Sequence, residues 1–198
     1  MKFLKEWGPF ALFIAIILLL RVYVWQPVLV DGHSMDPTLA DKERLIIVKT
    51  AKIQRFDIVV AKEYDETEKK EKNIVKRVIG MPGDTITFNN DILLINGKAT
   101  PEPYLEEYQK KFAEDRLQKT YTYNTFFQRL AQDASAFTIS ATGETKFTVT
   151  VPKGQYYLMG DDRIISNDSR RVGTFAKKEL VGEAKFRMWP FKKIGVLK

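Results

Sequence analysis

Between Trp7 and Leu20 the chain carries no charged residue, and extending the run to Trp25 admits only Arg21. Nineteen residues of helix, 7–25, span ~28 Å, close to the ~30 Å hydrocarbon core of a bilayer. Trp7 stands at one end and Tyr23 and Trp25 at the other, where amphipathic rings favour the two interfaces. Arg21 lies near the far end, where a long side chain reaches the head groups. Lys2 and Lys5 precede the run and favour a cytoplasmic N-terminus, and a long domain can cross despite its own charges. A cleavable leader fits less well, because "RVYVWQPVLV" offers no small-x-small cleavage site. A buried core helix is the remaining alternative, and the flanking lysines and aromatic residues argue against it. The sequence therefore predicts a cytoplasmic tail over 1–6, a transmembrane anchor over 7–25 and an extracytoplasmic domain over 26–198.

After the anchor the texture changes. "PVLVDG", "RLIIVK", "DIVVAK", "NIVKRVIG", "TITF", "ILLI", "FTVTV" and "YYLMG" are short runs rich in Val, Ile, Thr and Tyr. Turn residues separate many of them, among them Pro82-Gly83-Asp84, Asn96-Gly97 and Pro152-Lys153-Gly154. "TITFNNDILLINGKAT" reads as a hairpin followed by another turn. The expected fold is mainly β, an antiparallel β-sheet domain preceded by one membrane helix. Residues 102–146 differ, being charged and aromatic. They read as a small inserted α+β or irregular subdomain, with a helix over 104–118 from the spacing of Tyr104, Tyr108 and Phe112. The charge cluster Glu63–Lys72 reads as an exposed hairpin loop. Trp189, Pro190, Phe191, Lys192 and Lys193 mix aromatic and cationic residues and suit either a membrane-touching edge or a surface turn.

Composition narrows the chemistry. There is no cysteine and one histidine, which excludes disulfides, thiol catalysis and Cys-ligated zinc and argues against a transition-metal site. The formal net charge is +7, which suits either an acidic partner or a solvated, mildly basic surface. No nucleic-acid motif is present, so membrane lipid is the expected acidic surface.

"DGHSMDPTL", Asp31 to Leu39, places Ser34 directly after His33, the sole histidine. A serine beside a histidine invites a charge-relay reading. If the strand "VLVDGHS" persists to Ser34, alternation points His33 and Ser34 to opposite faces, and a nucleophile and base must lie within ~2.6–3.2 Å. A lysine can replace the histidine if burial lowers its pKa from ~10.4 by ~3–5 units. "NIVKRVIG" supplies a candidate. Ile74, Lys76 and Val78 share one face and Val75, Arg77 and Ile79 the other, so Lys76 sits between apolar β-branched neighbours. Spacing alone leaves open an ordinary strand lysine.

The motifs resemble, in order, those of the bacterial type I signal peptidases with a single membrane anchor. "GHSMDPTL" is similar to the family's nucleophile box, "RLIIVK" and "RFDIVV" to the next two strands, and "VKRVIGMPGD" to the box with the general-base lysine. "MGDDRIISNDSR" is similar to the last box. The resemblance covers about half of the chain. It implies a Ser/Lys dyad serine endopeptidase with Ser34 as nucleophile and Lys76 as general base, needing no cofactor. It implies that Ser166 orients the Lys76 amine, that Asp168 and Arg170 pair, and that Gly160 and Asp161 shape the site floor. The implied partners are signal peptides of exported preproteins, with small residues at −1 and −3 entering apolar pockets walled in part by Met35. A substrate-dedicated or silent relative serving assembly of surface proteins is the alternative, as is a self-cleaving regulator, whose DNA-binding module is replaced here by the anchor.

The sequence also departs from the family pattern. Gly32 stands where many relatives place a serine whose hydroxyl joins the oxyanion hole, so a backbone N–H or water must serve instead. Phe56 replaces the glycine of R-G-D, Asp162 replaces an asparagine, and Ile164 and Ile165 replace more polar residues. These four read as local repacking.

Overall fold

The computed structural model describes residues 2–65 and 69–197; the side chains of residues 2–6 and 65 lie outside the description, as do residues 66–68 of the charge cluster. The chain opens with helix α1 (Lys2–Tyr23), which takes in most of the expected tail as well as the apolar run. Strand β1 (Trp25–Leu29) follows after one residue, so Trp25 belongs to the sheet. Among the described residues no helix is long and apolar enough to cross a membrane. The described side chains of α1 begin at Trp7, and Phe10, Leu12, Phe13, Ile16 and Leu19 are all exposed, with no protein surface covering them.

The domain continues with β2 (Arg44–Val48), β3 (Ile58–Asp65), β4 (Lys70–Gly80), β5 (Thr85–Asn89), β6 (Ile92–Ile95) and β7 (Lys98–Ala99). Helices α2 (Glu106–Asp115) and α3 (Thr125–Asp133) occupy the inserted segment. Strands β8 (Lys146–Thr150) and β9 (Gln155–Met159), the short helix α4 (Ser169–Val172), β10 (Phe175–Ala176), β11 (Leu180–Trp189) and β12 (Gly195–Val196) complete the chain. Among the described residues all strand pairs are antiparallel. The larger sheet runs β1-β2-β11-β3-β4-β9-β10, with β12 beside β11, and the smaller runs β7-β6-β5-β8.

Alternation explains how the sheets stack. In β5 the buried residues are Ile86 and Phe88 and in β6 Leu93 and Ile95, and these four meet Ile79, Tyr157 and Met159 of the larger sheet. A second core joins Val30, Met35 and Leu39 to Leu45, Ile47, Ile58 and Val60. The inserted segment builds a third around Leu105, Tyr108, Phe112, Tyr121 and Phe137. It is helical, and Asn124 caps α3 by accepting from the Phe126 and Phe127 N–H groups. Ile164, from the last box, is buried inside this third core, with Ile165 packed against it.

Candidate active site

The strand expected to reach Ser34 stops at Leu29, and Ser34 opens a turn instead. The strand-alternation argument about His33 therefore does not apply. His33 is turned to other partners: its Nδ1 lies 2.9 Å from Asp36 Oδ2, and its ring packs on Tyr123 with centroids 4.6 Å apart. The turn is stiff for two reasons. Met35 and Leu39 are driven into the core on its inner side. Its backbone is closed by Asp36 N–H to His33 O at 3.1 Å and Leu39 N–H to Met35 O at 2.9 Å.

β4 brings Lys76 to this turn. Lys76 Nζ donates to Ser34 Oγ at 2.7 Å across 42 residues of sequence, and the same contact serves a hydroxyl donating to a neutral amine. Lys76 is 4% exposed. Burial pulls its amine down to about 8, against the opposing pull of the Asp168 and Glu63 carboxylates. A lysine at that value is neutral often enough to take a proton near neutral pH.

The carboxylates nearby are held by other cations. Arg77, on the opposite face of β4, grips Asp161 through Nε at 2.9 Å and Nη2 at 2.6 Å. Thr38 of the nucleophile turn also donates to Asp161, so one buried pair ties strand, turn and last box together. Arg170 binds Asp168 through Nε and Nη2, each at 2.9 Å. Burial alone would raise the Asp168 carboxyl, but Arg170, Lys76 and the Gly160 N–H outweigh it and hold the group at about 2. Glu63 is met by Asn167 Nδ2 at 3.1 Å and by Lys72 Nζ at 3.4 Å.

Gly160 forms the floor for a reason of space. A Cβ there would lie 2.3 Å from Ser166 Oγ and 2.4 Å from Ser34 O, closer than any methyl can sit. The expected bond from Ser166 to the Lys76 amine is not formed. Ser166 Oγ is buried without a hydrogen-bond partner among the described residues, and Lys76 is turned to Ser34. Gly32 has φ +90°, a conformation that a serine would adopt only under strain, and its N–H donates to Asp41 Oδ1 at 2.8 Å. That N–H is therefore committed to the turn.

A groove of about 340 Å³ opens beside the pair, lined by Leu29, Val30, Ser34, Met35, Ile74 and Val75 among others. β9 pairs with β4 only from Arg77 onward, so this edge of β4 has no strand beside it before Arg77 among the described residues.

The departures from the family pattern meet the inserted segment. Phe56 has φ +68°, where glycine is favoured, and its ring stands 5.8 Å from Tyr104. Asp162 accepts from Tyr121, and Ile164 and Ile165 join the segment's core. Sequence reasoning took these as local repacking because α2 and α3 could not be placed. It likewise assigned Arg77 no role beyond its place on the face of β4 opposite Lys76.

Fold and site together define a class, a serine hydrolase on antiparallel sheets with an amine at its hydroxyl. Residues 4–189 match the family described as signal peptidase, peptidase S26. The signal peptidase I of Streptococcus pneumoniae serotype 4 is 55% identical, covering 98% of this chain and 97% of that protein. The signal peptidase I of Bacillus caldolyticus is 38% identical over 95% of this chain and 92% of that protein. A crystal structure of a signal peptidase I from Enterococcus faecalis V583, 27% identical, covers 67% of this chain and 97% of that one, with a TM-score of 0.46. The chain belongs to the signal peptidase, peptidase S26, family: it is a serine endopeptidase that removes signal peptides.

Proposed function

We propose that Ser34 is the nucleophile and Lys76 the general base of this reaction. The observation that carries the assignment is the 2.7 Å contact between Lys76 Nζ and Ser34 Oγ, made by an amine that burial makes easier to deprotonate. Neutral Lys76 takes the Ser34 proton as Oγ bonds to the scissile carbonyl carbon. The Lys76 ammonium then gives that proton to the leaving nitrogen as the C–N bond breaks, leaving an acyl-enzyme. Water, deprotonated by Lys76, then bonds to the acyl carbon, the C–Oγ bond breaks, and Lys76 returns the proton to Ser34 Oγ. The Gly32 N–H is bound to Asp41, whereas the Ser34 N–H makes no hydrogen bond among the described residues, so the Ser34 N–H is assigned to the oxyanion.

The groove takes the segment before the cut. Among its lining residues Val30, Met35, Ile74 and Val75 are apolar and fit small side chains at −1 and −3, beside the polar Glu63, Lys72, Asn73 and Asn167, while the open edge of β4 offers backbone pairing to an extended substrate. The exposed apolar surface of α1 is supplied with cover by lipid, with the N-terminus cytoplasmic and the domain outside. Trp189 and Phe191, the latter 73% exposed, stand with Lys192 and Lys193 at the end of β11 and suit an anionic lipid surface.

The test is preprotein cleavage in detergent by the full chain beside Ser34→Ala and Lys76→Ala. Both variants are expected to lose all measurable cleavage while remaining folded. Retained activity in Lys76→Ala sinks the dyad.

A further inference from the structure

The inserted segment is joined to the catalytic turn by one short chain of bonds. Tyr121, fully buried, donates its hydroxyl to Asp162 Oδ1 at 2.6 Å. Asp162, also fully buried, donates its N–H to Ser34 O at 3.1 Å, and its own carbonyl accepts from the Ser166 N–H at 3.1 Å. One residue of the last box thus holds the backbone of the nucleophile on one side and that of Ser166 on the other. The inserted segment holds its side chain through Tyr121, the Ile164 and Ile165 N–H groups of its own turn also favour the carboxylate, and Asp162 Oδ2 is buried with no hydrogen-bond partner among the described residues.

The surroundings make this contact costly unless it has a use. Burial pushes the Asp162 carboxyl up to about 7 in spite of the Tyr121 hydroxyl, with Asp36 of the nucleophile turn adding repulsion. Tyr108, Tyr121 and Tyr123 all lie within the field of this carboxyl, and no cation is paired with it among the described residues. Elsewhere in the site each buried carboxylate has an arginine or lysine. A small amide at 162 would satisfy the same turn without the charge. The aspartate is kept where a tyrosine of the insertion reaches it, and Ile164 two residues on is anchored in the insertion's own core.

From this we propose that Tyr121 and Asp162 are a positioning pair: through them the inserted segment sets the backbone of Ser34, and with it the approach of the hydroxyl to Lys76. The proposal rests on the reading of Ser34 and Lys76 above. Neither Tyr121 nor Asp162 touches the groove that receives substrate. Their effect is therefore on the chemical step and not on substrate affinity, since a displacement of the reacting atoms by a fraction of an ångström already slows a reaction.

The experiment is steady-state cleavage of a signal-peptide substrate by the full chain in detergent, with melting temperatures measured in parallel. Tyr121→Phe removes one oxygen, and Asp162→Ala removes the acceptor. Each is expected to lower kcat by about tenfold with KM within about twofold. The double variant is expected to lose no more than either single one, because the two act as a unit. Asp162→Asn keeps the acceptor and is expected to recover at least about fivefold of the Asp162→Ala loss. Wild-type kcat in both single variants overturns the proposal, as do losses that multiply in the double variant. If Tyr121→Phe leaves too little folded enzyme to assay, the Asp162 pair decides: Asp162→Asn falling as far as Asp162→Ala overturns it. Ser34→Ala, assayed alongside, separates the two readings. Cleavage persisting there defeats the assignment of Ser34, whereas a dead Ser34→Ala beside wild-type rates in Tyr121→Phe and Asp162→Ala defeats the positioning pair alone.

Discussion

Lys76 and Arg77 are neighbours on β4, both buried, and their fates are opposite. Arg77 points to the back of the site and is gripped by Asp161 on two bonds, with Phe56 O as a further acceptor at 2.9 Å. Lys76 points to the front, where among the described residues its hydrogen-bond partner is the Ser34 hydroxyl. The back of the site spends its carboxylates on guanidinium groups: Asp161 on Arg77, Asp168 on Arg170, Glu102 on Arg163. Arginine keeps its charge at any working pH, so these pairs are permanent. The consequence falls on the front. Each nearby acid that could have drawn a proton onto Lys76 already has a cation, and desolvation is left to decide the state of the amine.

The comparison can be broken at several points. The largest effect is expected on removing Asp161. Asp161→Ala leaves the Arg77 guanidinium buried without a carboxylate, which costs about 3–5 kcal/mol. For a domain of this size that is a fall in melting temperature of about 10 °C, with cleavage reduced as Thr38 and the nucleophile turn lose their tether. A melting curve like that of the wild type would show that the back of the site is not the scaffold described here.

A smaller effect of opposite sign is expected at the front. The Lys76 amine titrates at about 8 in the folded protein, below its ordinary 10.5, so the unfolded chain binds the extra proton between these values. Stability therefore rises as pH climbs from about 8 to about 10.5, and the full penalty is present below 8. Lys76→Met should be inactive yet melt higher than the wild type at pH 7, with the advantage fading above about pH 10. The same group should give kcat/KM a limb that rises with pH and levels above about 8. Equal melting temperatures at every pH would contradict the desolvated amine.

The smallest effect is expected at His33. It contacts Asp36 and Tyr123 at the rim, so His33→Ala should keep cleavage within about threefold. A limb near pH 6.5 that vanished with His33 would return the base to histidine.

Much of this site was legible in the sequence because strand alternation is a local rule. The order of residues in "NIVKRVIG" placed Lys76 and Arg77 on opposite faces, and the hairpin of β5 and β6 was readable from its turn residues. What alternation did not reveal was the partner of each residue across the fold. Asp161 lies 84 residues from Arg77. The strand leading to Ser34 was misplaced for the same reason in reverse: it was carried five residues too far, past Leu29, because Gly32 reads equally as strand or turn until its positive φ is known. The inserted segment was the least legible. Its core is completed by Ile164, which belongs to another part of the chain, and no local pattern announces that.

The connection between α1 and the site has a consequence of its own. Helix α1 ends at Tyr23, one residue separates it from β1, and β1 is paired with β2 along all five of its residues. The path from Tyr23 to Ser34 thus begins as a paired strand, continues as a turn, and spans at most about 40 Å even if fully extended. On the proposed placement of α1 in lipid, Ser34 would ride within a limited height above the bilayer. A substrate whose own apolar segment lies in that same bilayer presents its bonds at heights set by their distance from the membrane. On that proposal the fold would measure as well as cut, with Tyr23 at one end of the ruler.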